Sequence, residues 1–396
     1  MFFEMTSTQT CKVLLTGMLI FSLFPEAGRA KQTNHNDTIN HDAYAFIDKR
    51  GKIVFRTPPD AESENFSDGV LKIKTKTKND EPDSSFMNKH GKVIAEGFIH
   101  GGRFSEGLAE VGKRGEIGFI DKTGKVATAK VFSDALCFRE GRAPVMVNKG
   151  FGFIDRTGSI VIAPFFENAT GFSDGLAAVQ SQGEIGFIDK TGKWRIKPRF
   201  RYVDGFSDGL ALVVENNEEF YIDHDGRKVI SLDDEQRKRP FIPWGVSETG
   251  LSSGNSFFQG FNSRTFRSPC TFCAGLSPMY KDKQYGYISK SGEFVIHPQF
   301  QQAFPFVEGL ARVCVDNKWG FINRSGAFVV EPKYSRAEDF SDGAAAVATG
   351  HNKWGHIDTR GRFISNARYI SAGPFHCGRA RVQLTGCYDD HIDDKE

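Results

Sequence analysis

Four carboxylates recur at one spacing along this chain: Asp121, Asp155, Asp189 and Asp223. Recurring acids are the raw material of calcium loops and of general acid–base pairs, so their context decides. A calcium loop wants three or more oxygens at alternating positions. Here each Asp is followed directly by a base, Lys122, Arg156, Lys190 or His224, and stands three residues before a glycine, Gly124, Gly158, Gly192 or Gly226. That is turn chemistry: the carboxylate accepts backbone N–H groups two residues on, and glycine supplies the left-handed conformation. These acids are read as turn residues.

The other chemical motifs are weaker. Gly250-Leu251-Ser252-Ser253-Gly254 matches the G-x-S-x-G of serine hydrolases, but that motif needs a strand before it and a helix after it, and neither pattern is there. Cys270-Thr271-Phe272-Cys273 has the spacing of a redox pair or half a zinc site, with no second C-x-x-C and no βαβ context. The ten histidines are scattered, outside any H-E-x-x-H frame. No catalytic, metal or cofactor-binding residue is assigned. Of seven cysteines, Cys11 falls in the N-terminal segment read below as a signal and six remain. In an exported chain these are read as disulfide formers, with Cys377–Cys387 and Cys270–Cys273 as candidate bridges; six cysteines allow 15 pairings, so the connectivity stays open.

The elements that carry these residues repeat. Turn glycines fall at Gly51, Gly91, Gly124, Gly158, Gly192, Gly226, Gly292, Gly326 and Gly361, and a second set at Gly69, Gly107, Gly141, Gly175, Gly209, Gly275, Gly309, Gly343 and Gly378. Two registers sharing a period near 34 residues announce a repeat architecture. Each copy reads as three short strands: an alternating run such as Leu210, Leu212 and Val214; an aromatic run such as Trp319-Gly320-Phe321-Ile322; and a run such as Phe328-Val329-Val330-Glu331-Pro332. Phe66-Ser67-Asp68-Gly69 and its equivalents open each copy. Pro164, Pro198, Pro298 and Pro332 share one position in the third run; proline donates nothing to a ladder, which places that run at a sheet edge. The expectation is an all-β array of about nine three-stranded antiparallel repeats, forming either a propeller-like ring or a curved superhelix.

Lys318-Trp319-Gly320-Phe321-Ile322-Asn323-Arg324-Ser325-Gly326 followed by Glu331-Pro332-Lys333-Tyr334, with Lys353-Trp354-Gly355 one copy later, resembles the WG (KWG) repeat family over roughly residues 43–388. Only these two copies keep the Trp; Ile117, Phe151, Ile185 and Tyr285 replace it elsewhere. The resemblance implies β-repeat domains that act in binding or assembly, and it brings no catalytic residues.

Outside the array, residues 1–30 read as a signal peptide. Val13 to Phe24 is apolar but too short to span a bilayer, and cleavage is expected after Ala30. Residues 31–42 form a polar linker and 389–396 an acidic tail. Residues 231–271 break the pattern and carry exposed-type aromatics; Trp244, Phe257, Phe258 and Phe261 are the candidate binding residues. Lys plus Arg (51) balances Asp plus Glu (49), interleaved within each copy, which argues against nucleic acid. The expected product is a secreted or periplasmic, non-enzymatic scaffold for a protein or glycan partner, without a membrane span in the mature chain. The alternatives are an envelope-polymer hydrolase or lyase on a β-repeat ring, and a purely structural envelope spacer.

Overall fold

The computed structural model describes residues 44–58, 61–76, 82–113, 116–128, 130–237 and 272–384. The signal, linker and tail regions lie outside them, as do residues 238–271. The described chain folds into nine small antiparallel sheets, the blades of a β-propeller. Seven of the nine sheets have four strands and two have three among the described residues; in most blades a two-residue strand stands in front of the expected ones. Blade 5 shows the pattern: Asn168–Ala169, Leu176–Ser181, Glu184–Asp189 and Trp194–Phe200, hydrogen-bonded in that order. A two-residue strand is below what hydrophobic periodicity can reveal, which is why a 34-residue repeat holds a four-stranded blade.

The ring closes. Blade 1 combines Tyr44–Ile47 and Ile53–Arg56 from the start of the array with Ser371–His376 and Arg379–Gln383 from its end. Tyr44 to Ile47 pair antiparallel with Gln383 to Ala380. An open superhelix would leave both of those edges unpaired, so this register settles the alternative in favour of a ring.

Local chemistry explains each element. Ser173-Asp174-Gly175-Leu176 is a two-residue hairpin with φ near +50° at Asp174 and +81° at Gly175, and Ser173 and Leu176 exchange both backbone bonds; this is the mirror-image turn that matches strand twist. At the Asp189 turn, Asp189 Oδ1 accepts the amides of Thr191 (2.8 Å) and Lys193 (3.2 Å) and the Thr191 hydroxyl (2.6 Å). The Thr191 hydroxyl bond holds the Asp189 carboxyl below its ordinary range. The outer strand bulges where the proline sits: Ile185 pairs with Phe200 but Phe187 with Ile196. That bulge is why the motif needs its glycine. A Cβ on Gly320 would lie 2.6 Å from Val330 O and 2.7 Å from Pro332 N, so Trp-Gly lets the kinked outer strand close in.

Packing between blades repeats nine times. The aromatic of each third strand meets the phenylalanine that opens the next blade, as in Phe187–Phe206 (4.8 Å), Phe321–Phe340 (4.7 Å) and Tyr287–Phe306 (4.9 Å between centroids). His356, against Phe375 at 4.7 Å, takes this place in blade 9. Such ring pairs add about 0.5–1.5 kcal/mol each beyond area burial, which accounts for a chain with 37 phenylalanines.

Candidate functional site

Two sets of polar side chains stand at the junctions between blades. The first belongs to the opening turns. Their third residue accepts the amide of the turn glycine one blade on: Glu106 from Gly141 (2.9 Å), Asp174 from Gly209 (2.8 Å), Glu308 from Gly343 (2.8 Å), Asp342 from Gly378 (2.7 Å). Asp68, Glu140 and Asp208 do the same for Gly107, Gly175 and Gly275. At the junction of blades 1 and 2 the acceptor is Cys377 Sγ, which takes the Gly69 amide at 3.1 Å. Lysines from the following blade sit on three of these carboxylates: Lys122 on Asp68 (2.5 Å), Lys190 on Glu140 (3.0 Å) and Lys290 on Asp208 (3.1 Å). Beneath them, Ser67, Ser105, Ser173 and Ser207 each donate a hydroxyl to a phenylalanine carbonyl of the next blade, at 2.6–2.7 Å. The recurring Ser and Asp are thus spent on holding blades together.

The second set departs from the repeat. One position on the second strand reads Ala178, Leu212 or Ala346 in blades 5, 6 and 9, but Lys72 in blade 2, Glu110 in blade 3, Arg312 in blade 8 and Arg381 in blade 1. Glu64 is shared between Lys72 Nζ (2.9 Å) and Arg103 Nε (2.7 Å); burial pushes its pKa up, but the two cations outweigh that and hold it below the ordinary range. Arg381 donates to the Ser63 carbonyl. Arg312 lies 3.9 Å over the Phe304 ring and pairs with Asp339 at 3.1 Å.

Glu110 is strongly perturbed. Only 7% exposed, it lies against Gly102, where a Cβ would fall 1.7 Å from its Oε1. Its Oε2 has no hydrogen-bond partner among the described residues. Burial drives its pKa up to about 8, so it is a neutral carboxylic acid at pH 7. Burial also raises Asp134, and lowers His100, whose Nε2 is likewise unpartnered among the described residues. Glu110 of blade 3 and Asp134 of blade 4 are both buried and near enough for Asp134 to push the Glu110 pKa up further. A shallow depression of about 350 Å³ lies elsewhere, on blade 6, lined by Arg199, Glu215, Asn216, Glu218, Phe220, Gly226 and Lys228. Its charges are paired with one another: Arg199 with Glu215, and Lys228 with Glu218.

The residues singled out from the sequence divide as follows. Trp244, Phe257, Phe258, Phe261, Cys270 and Cys387 lie outside the described residues. Cys273 and Cys377 occupy the second and third positions of opening turns in blades 7 and 1, and no two cysteines are joined among the described residues. The recurring Asp side chains are turn acceptors. Trp319 and Trp354 pack against the core clusters of blades 8 and 9, whereas Trp194 is 39% exposed at the rim. Sequence reading missed Glu110, Lys72 and His356, although the signal was present: a charge or an imidazole where sister copies carry Ala, Leu or Phe. No helix among the described residues is long and apolar enough to cross a membrane.

No curated protein matches the chain. Among solved structures, a eukaryotic initiation factor resembles it at 11% identity with a TM-score of 0.49, covering 88% of this chain and 99% of that one. PorZ, a surface component of the type-IX secretion system of Porphyromonas gingivalis, does so at 11% identity and a TM-score of 0.26, covering 70% and 40%. A KlHsv2 variant with loop 6CD replaced does so at 10% identity and a TM-score of 0.32, covering 72% and 90%. The model of the WG containing repeat matches residues 117–150, 151–184, 185–218, 285–319, 319–354 and 354–386. These matches take in over half of the sequence, two unbroken runs on either side of residues 219–284, and the chain belongs to the WG-containing repeat family.

Proposed function

We propose that this protein is an exported, non-catalytic propeller scaffold that binds a protein or glycan partner. The observation that carries the reading is the assignment of the recurring polar side chains. The Asp, Ser and Lys that recur along the array are engaged in turns and inter-blade bonds, so the array holds its own shape and offers its surface. Extended repeat surfaces suit large partners. Export rests on the apolar run Val13 to Phe24 and the small residues ending at Ala30. The partner-contacting residues of this proposal are Trp244, Phe257, Phe258 and Phe261, which interrupt the repeat.

The test is capture by covalent crosslinking in the native compartment, followed by titration of the purified partner or envelope glycan. Wild type is compared with a variant carrying Ala at those four aromatics. Affinity should fall while the thermal midpoint stays put. Unchanged affinity removes these residues from the contact.

The hydrolase or lyase reading keeps one supporting observation, the neutral carboxylic acid of Glu110 beside Asp134, a pairing used in general acid–base work. Turnover of envelope polymers that is lost on Glu110→Gln would establish it in place of the scaffold.

A further inference from the structure

Eight of the nine junctions between opening turns hold the same bond. A side chain from one blade, seven times a carboxylate and once the Cys377 thiol, accepts the turn-glycine amide of the next. The ninth, between blades 7 and 8, does not, because the residue there is Ala274. Its backbone still adopts the left-handed conformation of its counterparts, with φ near +54°, so the turn is built as if for an acid. The amide that an acid would receive belongs to Gly309, which is exposed, and no atom would come within 4 Å of a Cβ built on it. Gly309 N–H has no acceptor among the described residues.

The cation of this seat is in place as well. Asp208 at the preceding junction takes the Gly275 amide together with Lys290, the second residue of the Asp-type turn one blade on. The corresponding residue for Ala274 is Arg324. Its guanidinium sits over the blade 7 turn, with Nη2 3.4 Å from a Cβ built on Gly275; against the effect of burial, its charge reaches Asp208 and helps hold that carboxyl low, but among the described residues it closes no salt bridge. By correspondence with the other junctions, amide and guanidinium flank an exposed position at which this copy carries alanine in place of a carboxylate.

We propose that the Gly309 amide and Arg324 form a carboxylate-binding seat, filled in trans by an acidic side chain or chain terminus of a binding partner. The repeat itself supplies the template for the ligand: at three other junctions a turn-glycine amide and a lysine hold a carboxylate in cis, here with arginine in the place of the lysine, and charge-assisted bonds of this kind are the strong class. This deepens the scaffold reading by assigning one contact, and its test needs no macromolecular partner, so the seat can fail while the scaffold stands, or the reverse.

Sodium acetate is titrated against sodium chloride at matched ionic strength while the backbone amides are followed by NMR. The Gly309 amide should shift saturably with acetate and not with chloride. The Gly343 amide, already held by Glu308, should not move. In Ala274→Asp the internal carboxylate occupies the seat, so the acetate response of Gly309 should vanish; in Arg324→Ala half-saturation should rise several-fold. Both changes lie on the exposed surface of a hairpin, and aspartate suits the left-handed turn better than alanine, so folding is preserved. A Gly309 amide that ignores acetate, or one that responds equally in Ala274→Asp, overturns the proposal.

Discussion

His356 places an acid-labile joint beside the seam of the ring. It occupies the third-strand site that holds Phe or Tyr in the other eight blades, and it is fully buried. Its Nε2–H donates to the Gly373 carbonyl at 2.9 Å, and its Nδ1 meets the Ser365 hydroxyl at 2.9 Å. Ser365 Oγ also accepts the His356 amide, so its proton is free to point at Nδ1 and the imidazole is held neutral. Burial lowers its pKa from 6.5 to about 4. Because the folded-state value is depressed, the stabilisation is present above pH 6.5 and lost as pH falls towards 4. At 1.36 kcal/mol per pH unit the full crossing removes about 3 kcal/mol, of which about 2 kcal/mol is gone by pH 5. Gly373 lies in Ser371–His376, a strand of the blade that joins the two ends of the array, so acid weakens the closure first. His356→Phe restores the aromatic of the other blades but strips Gly373 O and Ser365 of their ring partner, costing about 1–2 kcal/mol at pH 8. Urea titrations at pH 8 and pH 5 should show the wild type more stable at pH 8 and its advantage gone or reversed at pH 5. A stability difference between the two proteins that is the same at both pH values refutes the reasoning.

Glu110 works in the opposite direction: its raised pKa means stability present at low pH and lost as pH rises towards 8. Glu110→Gln should match the wild type at pH 4 and exceed it by an amount approaching about 5 kcal/mol above pH 8, read from denaturant midpoints; a flat difference defeats the assignment. Gly320→Ala should cost about 3 kcal/mol, because the added methyl meets the Val330 and Pro332 backbone; a midpoint within 0.5 kcal/mol, or roughly so, of wild type would mean the outer strand can give way. Cys377→Asp puts a carboxylate at the closing junction and should raise stability by about 1 kcal/mol, measured by thermal unfolding under reducing conditions; a fall would show that the thiol is not a substitute acceptor.

How much of this was legible in the sequence depends on whether a residue's role is local. Asp189 and Gly192 define their turn within five residues, so the turn could be read directly. Pro198 marked an edge strand for the same reason. Ring closure was not readable, since Tyr44–Ile47 pairs with Arg379–Gln383 across the entire array and nothing local distinguishes it from an unpaired end. The opening-turn acids looked like further turn residues, yet Asp174 accepts from Gly209, a full blade away. Position within the repeat reveals that role only when all nine copies are superposed in space. Glu110 and His356 were lost for another reason: each is a single substitution in a degenerate position, and only burial shows that the substitution changes a pKa.

Departures from the repeat occur around the ring, at Glu110, Arg312 and Cys377 among others, and one group of them falls together at blade 7. Serine and aspartate are replaced together at Cys273-Ala274, the second strand of the same blade carries Pro278, and the pattern-breaking residues 231–271 immediately precede it. The depression lined by Gly226 and Lys228 is on blade 6, next in the ring. In an array whose stability is a sum of neighbour terms, losing the junction bond at Ala274 weakens one interface and leaves the other eight intact. A ring closed by strand pairing tolerates such a weak junction without opening, since the remaining blades hold both sides in register. Closure and vacancy therefore belong together: the closed ring allows one interface to give up an internal carboxylate, and that is the interface at which a partner's carboxylate can be received.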